Sequence, residues 1–322
     1  MTKSIGRIGI IGTGVIGASW TALYLAKGLQ VVATDIAPSA EASLRKFVET
    51  AWPALKRLGL SAGASQSNLK FSADLAQALA GVDLVQENGP ERIDFKQKLY
   101  GQLDQLLPPD VIIASSSSGL TMSEIQKGAA SHPERCVIAH PFDPPHLIPL
   151  VEIVGGAKTS EATIQRAAEF YTSIGQRTVR LNQEMPGHVA NRLQAALARE
   201  VYLVAEGVVS AADVDTALSW GPGLRWGIMG NMVLNHLGGG PGGIEHFFQQ
   251  FTGPMTAWWK TLGSPVLTPD VQKKLIASVH AEAGSRSIQE LAVERDEVLL
   301  GLIELRNKFA GSSQKKSPEP VA

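Results

Sequence analysis

The sequence predicts an α/β protein in which a doubly wound, mainly parallel sheet is followed by an all-helical C-terminal domain. Three observations predict it. Short apolar runs alternate with helical stretches over the first 180 residues, the rhythm of strands joined by crossover helices. The first of those runs ends in a glycine-rich turn, Gly12-Thr-Gly14-Val-Ile-Gly17. After Met185-Pro186-Gly187 the strand-like runs stop and helical patterning takes over.

Taken in order, Arg7 to Ile11 is an apolar run that reads as a strand, and Val15 to Lys27 carries bulky and small apolar residues that suit a helix. Gln30 to Thr34 is rich in β-branched residues and ends at Asp35, and Pro38-Ser39 then opens a helix from about Glu41 to Leu58. Ser61 to Ser67 is loop-like, Asp74 to Ala80 helical, and Val82 to Gln86 a strand. Helix then strand recurs at Phe95 to Leu106 and Val111 to Ser115, and again at Met122 to Ala129 and Cys136 to Ala139. Leu150 to Val154 is a further strand-like run. These features place one domain over residues 1–186 and a helical one over 187–310. Within the second, helices are expected from His188 to Glu206, from the capping-box-like Ser210-Ala-Ala-Asp213 to Trp220, and from Thr268 to Lys308. Gly221-Pro222-Gly223 should stop the helix ending at Trp220, and Gly238 to Gly243 reads as a plain connection or a ligand-closing lid. The polar tail 311–322 is expected to fray.

Composition narrows the function classes. With 29 Lys+Arg against 30 Asp+Glu, a formal charge of −1 and 18% charged residues, nothing draws the chain toward nucleic acid or anionic lipid. A hydrophobic share of 44% over 322 residues can fill two cores. The single cysteine, Cys136, cannot form an intramolecular disulfide, which fits a reducing compartment, and we read the chain as cytoplasmic. Ile8 to Ala26 lacks charges, but Gly9, Gly12, Gly14 and Gly17 make it a poor membrane span. No metal site is expected.

The glycine turn fits a dinucleotide fingerprint of the Rossmann type. Gly12 allows the tight turn, Gly14 lets backbone approach a pyrophosphate, and Gly17 lets helix pack on strand. The N–H groups opening the following helix, at Val15 and Ile16, face the same phosphates. Asp35 ends the next strand, where a carboxylate accepts from a ribose 2′-OH and repels a 2′-phosphate, so NAD is expected rather than NADP. A capping aspartate before Pro38 is the plainer reading of Asp35.

Oxidation at a bound nicotinamide needs a base for the alcohol proton, and histidine suits that task near neutrality. His140 closes the run from Cys136, which places it at the carboxyl edge of the sheet where open α/β proteins bind ligands. Glu152 lies in the next apolar run, where a carboxylate needs a partner such as an imidazole. Ser115 to Ser118 gather hydroxyls at the same edge, either as site residues or as a solvated turn.

Several spaced motifs, GTGVIG, SSSSGL, HPFDP, LVEIV, PGHVANRL and DVDTALSWGPG, resemble the L-3-hydroxyacyl-CoA dehydrogenase family over nearly the whole chain. The resemblance implies that His140 is the general base and Glu152 its partner, with Ser118 and Asn191 on the reacting oxygen or its neighbour. It also implies cofactor contacts at Asp35, Glu91 and Lys96, the last two otherwise reading as surface charges. Within the family, stretches such as Pro144-Pro-His-Leu-Ile-Pro-Leu-Val-Glu and Gly223-Leu-Arg225-Trp226 look closest to the branch of L-carnitine dehydrogenase and L-gulonate 3-dehydrogenase, the lambda-crystallin relatives. That branch oxidises free 3-hydroxy acids, which makes Arg225 a candidate for the substrate carboxylate, or else a structural ion pair. The resemblance further implies a homodimer.

One departure stands in HPFDP, where the family usually has asparagine and this chain has Asp143. A carboxylate beside His140 and Glu152 would favour the imidazolium or attract a cationic substrate. Trp220, Trp226, Phe247, Phe248, Trp258 and Trp259 supply faces for a quaternary ammonium, although core packing is the ordinary use of aromatics in a helical domain. Competing readings are a 3-hydroxyacyl-CoA enzyme, with Lys56, Arg57 and Lys70 for the coenzyme phosphates, and a crystallin-like protein that binds NAD without turnover. Phosphogluconate and hydroxyisobutyrate dehydrogenases share the architecture but use a lysine where this chain has Gly187-His-Val-Ala-Asn191.

Overall fold

The first strand pairs in parallel with two others, and from this all else in the sheet follows. The computed structural model describes residues 4–313. Its strands are β1 (Arg7–Ile11), β2 (Gln30–Thr34), β3 (Leu69–Phe71), β4 (Leu84–Glu87), β5 (Ile112–Ser115), β6 (Cys136–Pro141), β7 (Leu150–Gly155) and β8 (Arg177–Leu181). They form one sheet in the order β3-β2-β1-β4-β5-β6-β7-β8. Chain order reverses at β1, so the loops leaving β1 and β4 diverge and open a crevice at the carboxyl edge. Strands β3 to β6 are mutually parallel, whereas β7 runs antiparallel to β6 and β8 follows β7.

Crossover helices cover both faces: α1 (Val15–Ala26), α2 (Ala40–Leu58), α3 (Leu75–Leu79), α4 (Ile93–Leu106), α5 (Met122–Ile125) and α6 (Glu161–Ser173). Alternation along each strand splits the core in two. Ile8, Ile10, Ile112, Ala114, Val137 and Ala139 pack with Trp20 and Tyr24 of α1 on one face. Ile11, Ile113, Cys136 and Ile138 pack with Leu99 and Leu103 of α4 on the other. Three elements depart from expectation. Strand β3 has three residues, too few for a period to show. Helix α6 and strand β8 follow the expected sheet, and β8 is an edge strand, Arg-Thr-Val-Arg-Leu, whose arginines leave no apolar run to mark it. Arg180 of β8 pairs with Glu161 of α6, a charged edge of the kind that blocks further strand addition.

The chain divides into two compact units, Met1–Arg192 and Leu193–Ala322, with the division inside α7 (Ala190–Ala198). A 3-10 turn over Arg199–Val201 breaks the single helix expected to Glu206, and α8 (Tyr202–Ala205) follows it. Ser210 caps α9 (Ala211–Trp220) by accepting from the Asp213 N–H at 3.1 Å. Gly221 ends α9, but Pro222 then begins α10 (Pro222–Trp226), since proline suits a first helical turn. The glycine run is no open loop: α11 (Asn231–Gly238), a 3-10 turn over Gly240–Gly242 and α12 (Gly243–Trp259) use it almost entirely, leaving no free segment there to close as a lid. Helices α13 (Pro269–Ala283) and α14 (Ile288–Ser313) are separated at Gly284. Helix α14 carries residues 311–313 of the tail expected to fray, and the rest of that tail lies outside the described residues. No helix among the described residues is long and apolar enough to cross a membrane.

Gly12 turns the chain after β1 at φ +80°, and a Cβ on Gly17 would stand 1.9 Å from the Gly12 carbonyl oxygen. That carbonyl is backbone, so Gly17→Ala must move α1 off the turn. It is expected to cost about 1–3 kcal/mol of stability in urea unfolding and to weaken NAD binding measured by fluorescence titration. Unchanged values for both would show that the helix does not need this close approach.

Candidate active site

The register of β6 and β7 places His140 directly opposite Glu152. Cross-strand partners share a face, so the two side chains meet, with Nδ1 of His140 2.9 Å from Oε2 of Glu152. Both are buried, at 4% and 1% exposure. A carboxylate only accepts, so Nδ1 carries the hydrogen and Nε2 is left as the basic nitrogen. Nε2 lies 3.1 Å from the hydroxyl of Ser118, which is exposed on the turn after β5. The other oxygen of Glu152, Oε1, accepts from the backbone N–H of Val189 at 2.8 Å and of Ala190 at 2.9 Å, where α7 begins. Burial alone would push this carboxyl up, but His140 and the two N–H groups outweigh it and hold it below its ordinary value of 4.5.

The serine turn is itself held by carboxylates. Oε1 of Glu91 accepts from the Ser117 hydroxyl at 2.7 Å, the Gly119 N–H at 2.7 Å and the Leu120 N–H at 3.1 Å. Beneath it Glu87, fully buried at the end of β4, receives the Lys96 ammonium on both oxygens at 2.8 Å, the Ser115 hydroxyl at 2.6 Å and the Gly89 N–H at 2.6 Å. Ser116 accepts from Gln86 at 2.9 Å and from the Trp20 indole of α1 at 3.2 Å, and donates to Asn88 at 2.7 Å. The turn is therefore tied to the dinucleotide-type helix as well as to the sheet.

On the other side of the crevice α1 opens with no side-chain cap and no acidic residue in its first turn, so its N–H groups stay available to an anion. A Cβ on Gly14 would meet nothing within 4 Å, which leaves an open approach to that backbone. Asp35 is held at the end of β2 by the Thr13 N–H at 2.7 Å, the Thr13 hydroxyl at 3.0 Å and the Ala37 N–H at 3.0 Å. Burial raises its carboxyl, and these bonds more than offset it, so it stays ionised below the usual range. A free helix N-terminus, an open glycine and a fixed carboxylate fit a pyrophosphate and a ribose diol.

Residues 7–185 match the family profile described as 3-hydroxyacyl-CoA dehydrogenase, NAD binding domain, and residues 187–291 match that of the 3-hydroxyacyl-CoA dehydrogenase C-terminal domain. The chain belongs to the 3-hydroxyacyl-CoA dehydrogenase family. It is an NAD-dependent oxidoreductase of that family acting on a CH–OH group. It is 44% identical over 295 residues to an L-carnitine dehydrogenase of Streptomyces coelicolor, covering 91% of this chain and 92% of that one. An L-carnitine dehydrogenase of Pseudomonas putida gives the same figures of 44%, 91% and 92%. A crystal structure of 5-formyl-3-hydroxy-2-methylpyridine 4-carboxylic acid 5-dehydrogenase, an NAD+ dependent dismutase, superposes with a TM-score of 0.80 at 32% identity, covering 94% of this chain and 99% of that one.

The candidates of this family member divide by where the fold puts them. His140, Glu152 and Ser118 meet, and Asn191, half-buried, follows the two N–H groups on Glu152 in the first turn of α7. Gly12, Gly14, Val15, Ile16, Gly17 and Asp35 gather at the turn between β1 and α1. Lys96 corrects the expectation of a surface charge: it is 1% exposed, bound to Glu87, with Glu91 at 3.9 Å. Asp143 is exposed and forms no hydrogen bond or ion pair with His140 or Glu152. Arg225 is exposed on α10 in the helical unit. The aromatics expected in a helical core are largely exposed instead, with Trp220 at 78%, Trp258 at 59% and Trp259 at 63%. Sequence reading missed Thr13, Glu87 and His188. A glutamate closing the apolar run Leu84-Val-Gln-Glu87 was the available signal for the second.

Because the folded carboxyl of Glu152 sits below its ordinary value of 4.5, its stabilisation is present above that pH and is lost as pH falls through the lowered value. Glu152→Gln should flatten the acid arm of the stability–pH curve and lower kcat by ~10²-fold or more through the wrong His140 tautomer. An acid arm identical to that of the parent chain would contradict the pairing.

Proposed function

We propose that this chain oxidises the 3-hydroxyl of a small free L-3-hydroxy acid with NAD, and that the acid is L-carnitine, giving 3-dehydrocarnitine. The observation that carries the chemistry is the line Glu152–His140–Ser118, which leaves one basic nitrogen beside an exposed hydroxyl at the carboxyl edge of the sheet. The support for the substrate is the set of relatives named L-carnitine dehydrogenase, 41–44% identical over most of the chain.

His140 Nε2 takes the proton of the C3 hydroxyl while Glu152 stabilises the imidazolium that forms. Ser118 and Asn191 hydrogen-bond the reacting oxygen and hold it in line with the base. Bound there, NAD would supply the acceptor for the hydride that leaves C3 with its bonding electron pair. Asp35 would hold its ribose, and the glycine turn with the N–H groups of Val15 and Ile16 its pyrophosphate. Glu91 and Lys96 enter as groups that fix the serine turn and would act on the cofactor through it.

For the two opposite ends of the acid we assign, on charge alone, Arg225 to the carboxylate and Asp143 to the trimethylammonium. The exposed aromatic and aliphatic side chains of the helical unit, among them Trp220, Leu224, Met232, Trp258 and Trp259, support a homodimer that covers them. The buried single cysteine supports a cytoplasmic enzyme.

NADH formation against L-carnitine, L-gulonate, 3-hydroxybutyrate and a 3-hydroxyacyl-CoA, each with NAD and NADP, tests the reading. Turnover of L-carnitine with NAD is expected, with ~10²-fold or greater loss in His140→Ala. Activity confined to the thioester would overturn the substrate, and an unimpaired His140→Ala the base. Asp143→Asn should raise KM for L-carnitine more than for 3-hydroxybutyrate, which has no cation to attract. Equal effects on the two substrates would remove Asp143 from recognition.

A further inference from the structure

His188 lies on the turn into α7, 2% exposed and at φ +48°, next to the proposed base yet without a role so far. Its Nε2 is 2.9 Å from the Ser117 carbonyl oxygen, which only accepts, so Nε2 carries the hydrogen. Its Nδ1 is buried and has no hydrogen-bond partner among the described residues. The ring centroid stands 4.9 Å from that of His140, with the planes at 49°. Burial, with the charge His140 can carry, holds this imidazole below its ordinary 6.5 against the pull of the Ser117 carbonyl, Glu152 and Glu91. The ring is neutral at physiological pH, with Nε2–H as its one donor.

A phenyl ring would fill the same space without burying an unpartnered Nδ1, but it would offer the Ser117 carbonyl no N–H, so packing does not account for an imidazole here. What the imidazole adds is the N–H to Ser117. That bond joins two segments that act on the same histidine. Ser117 precedes Ser118, whose hydroxyl meets Nε2 of His140, while Val189 and Ala190, the residues after His188, hold the carboxylate that meets Nδ1.

We propose that His188 is a positioning residue: its Nε2–H···O bond to Ser117 ties the serine turn to the α7 turn and keeps Ser118 and Glu152 on opposite nitrogens of His140. The proposal rests on the reading of His140 as the base. With the tether cut, each segment keeps its own anchors, Glu91 for the serine turn and the helix start for Glu152, so binding persists. Their mutual alignment loosens, and the loss falls on the proton-transfer step.

Three variants separate the tether from packing: His188→Ala, His188→Phe and His188→Gln. All place a side chain at the same left-handed position, so the backbone cost is shared and differences report the side chain. Ala and Phe are expected to lower kcat by about tenfold or more with KM for NAD within about twofold, and Gln, which restores an N–H donor, to recover most of the loss. Phe matching the parent chain, or Gln no better than Ala, overturns the tether. Independently of turnover, ¹⁵N NMR of the parent chain should show the His188 ring neutral and protonated at Nε2 near neutral pH; a charged ring or the Nδ1–H tautomer overturns the proposal. An active His140→Ala would sink the base assignment while leaving this tautomer result standing, so the two failures are distinguishable.

Discussion

A carboxylate buried to 1% exposure must have its acceptors filled, and Glu152 meets that demand with partners from two separate parts of the chain. One oxygen takes the His140 N–H of β6; the other takes two backbone N–H groups where α7 begins. The same residue thus fixes the tautomer of the base and anchors the segment that leaves the sheet. Its position follows from register alone, since β7 reverses against β6 and sets Glu152 across from His140. A slip of one residue would send the carboxylate to the opposite face and leave both groups buried without a partner.

Two further carboxylates apply the same rule to the loops. Strand ends leave N–H groups that no ladder pairs, and Glu87 and Glu91 accept from Gly89, Gly119 and Leu120. Glu87 bears a charge in the interior, and Lys96 neutralises it there with two bonds of 2.8 Å. Removing either partner would strand the other, a cost of about 3–5 kcal/mol for a buried pair. A surface reading of Lys96 fails for this reason: its charge answers a buried glutamate that lies nine residues earlier in the chain.

What the sequence disclosed is what local pattern encodes. Apolar runs marked β1, β2 and β5 to within a residue, and the glycine spacing marked the turn before α1, because strand burial and a left-handed Gly12 are properties of short segments. His140 and Glu152 were legible as a pair because one closes an apolar run and the other interrupts the next. Strand β8 was not, since an edge strand keeps its arginines. Nor was His188, whose role depends on a contact with Ser117 across 71 positions of the chain. The exposed tryptophans of the helical unit ran against expectation because composition reports how apolar a domain is, and not which of its faces another surface covers.

On the proposed reading, the groups that the sheet edge assembles act on atoms that every 3-hydroxy compound shares: one hydroxyl, one C–H and the oxygen they leave. Discrimination must come from the substituent beyond C3, and charge is its strongest lever. Opposite unit charges about 4 Å apart attract by ~1 kcal/mol in water and about 4 kcal/mol where water is partly excluded, and like charges repel by as much. On the proposed reading, the exposed carboxylate of Asp143, on the segment leaving β6 three residues after the base, therefore acts twice. It favours a trimethylammonium group and opposes the phosphates of a coenzyme A thioester. An asparagine there would be neutral to both. A single oxygen in place of an amide nitrogen can thus turn family-wide chemistry toward a cationic free acid without disturbing the histidine that performs it.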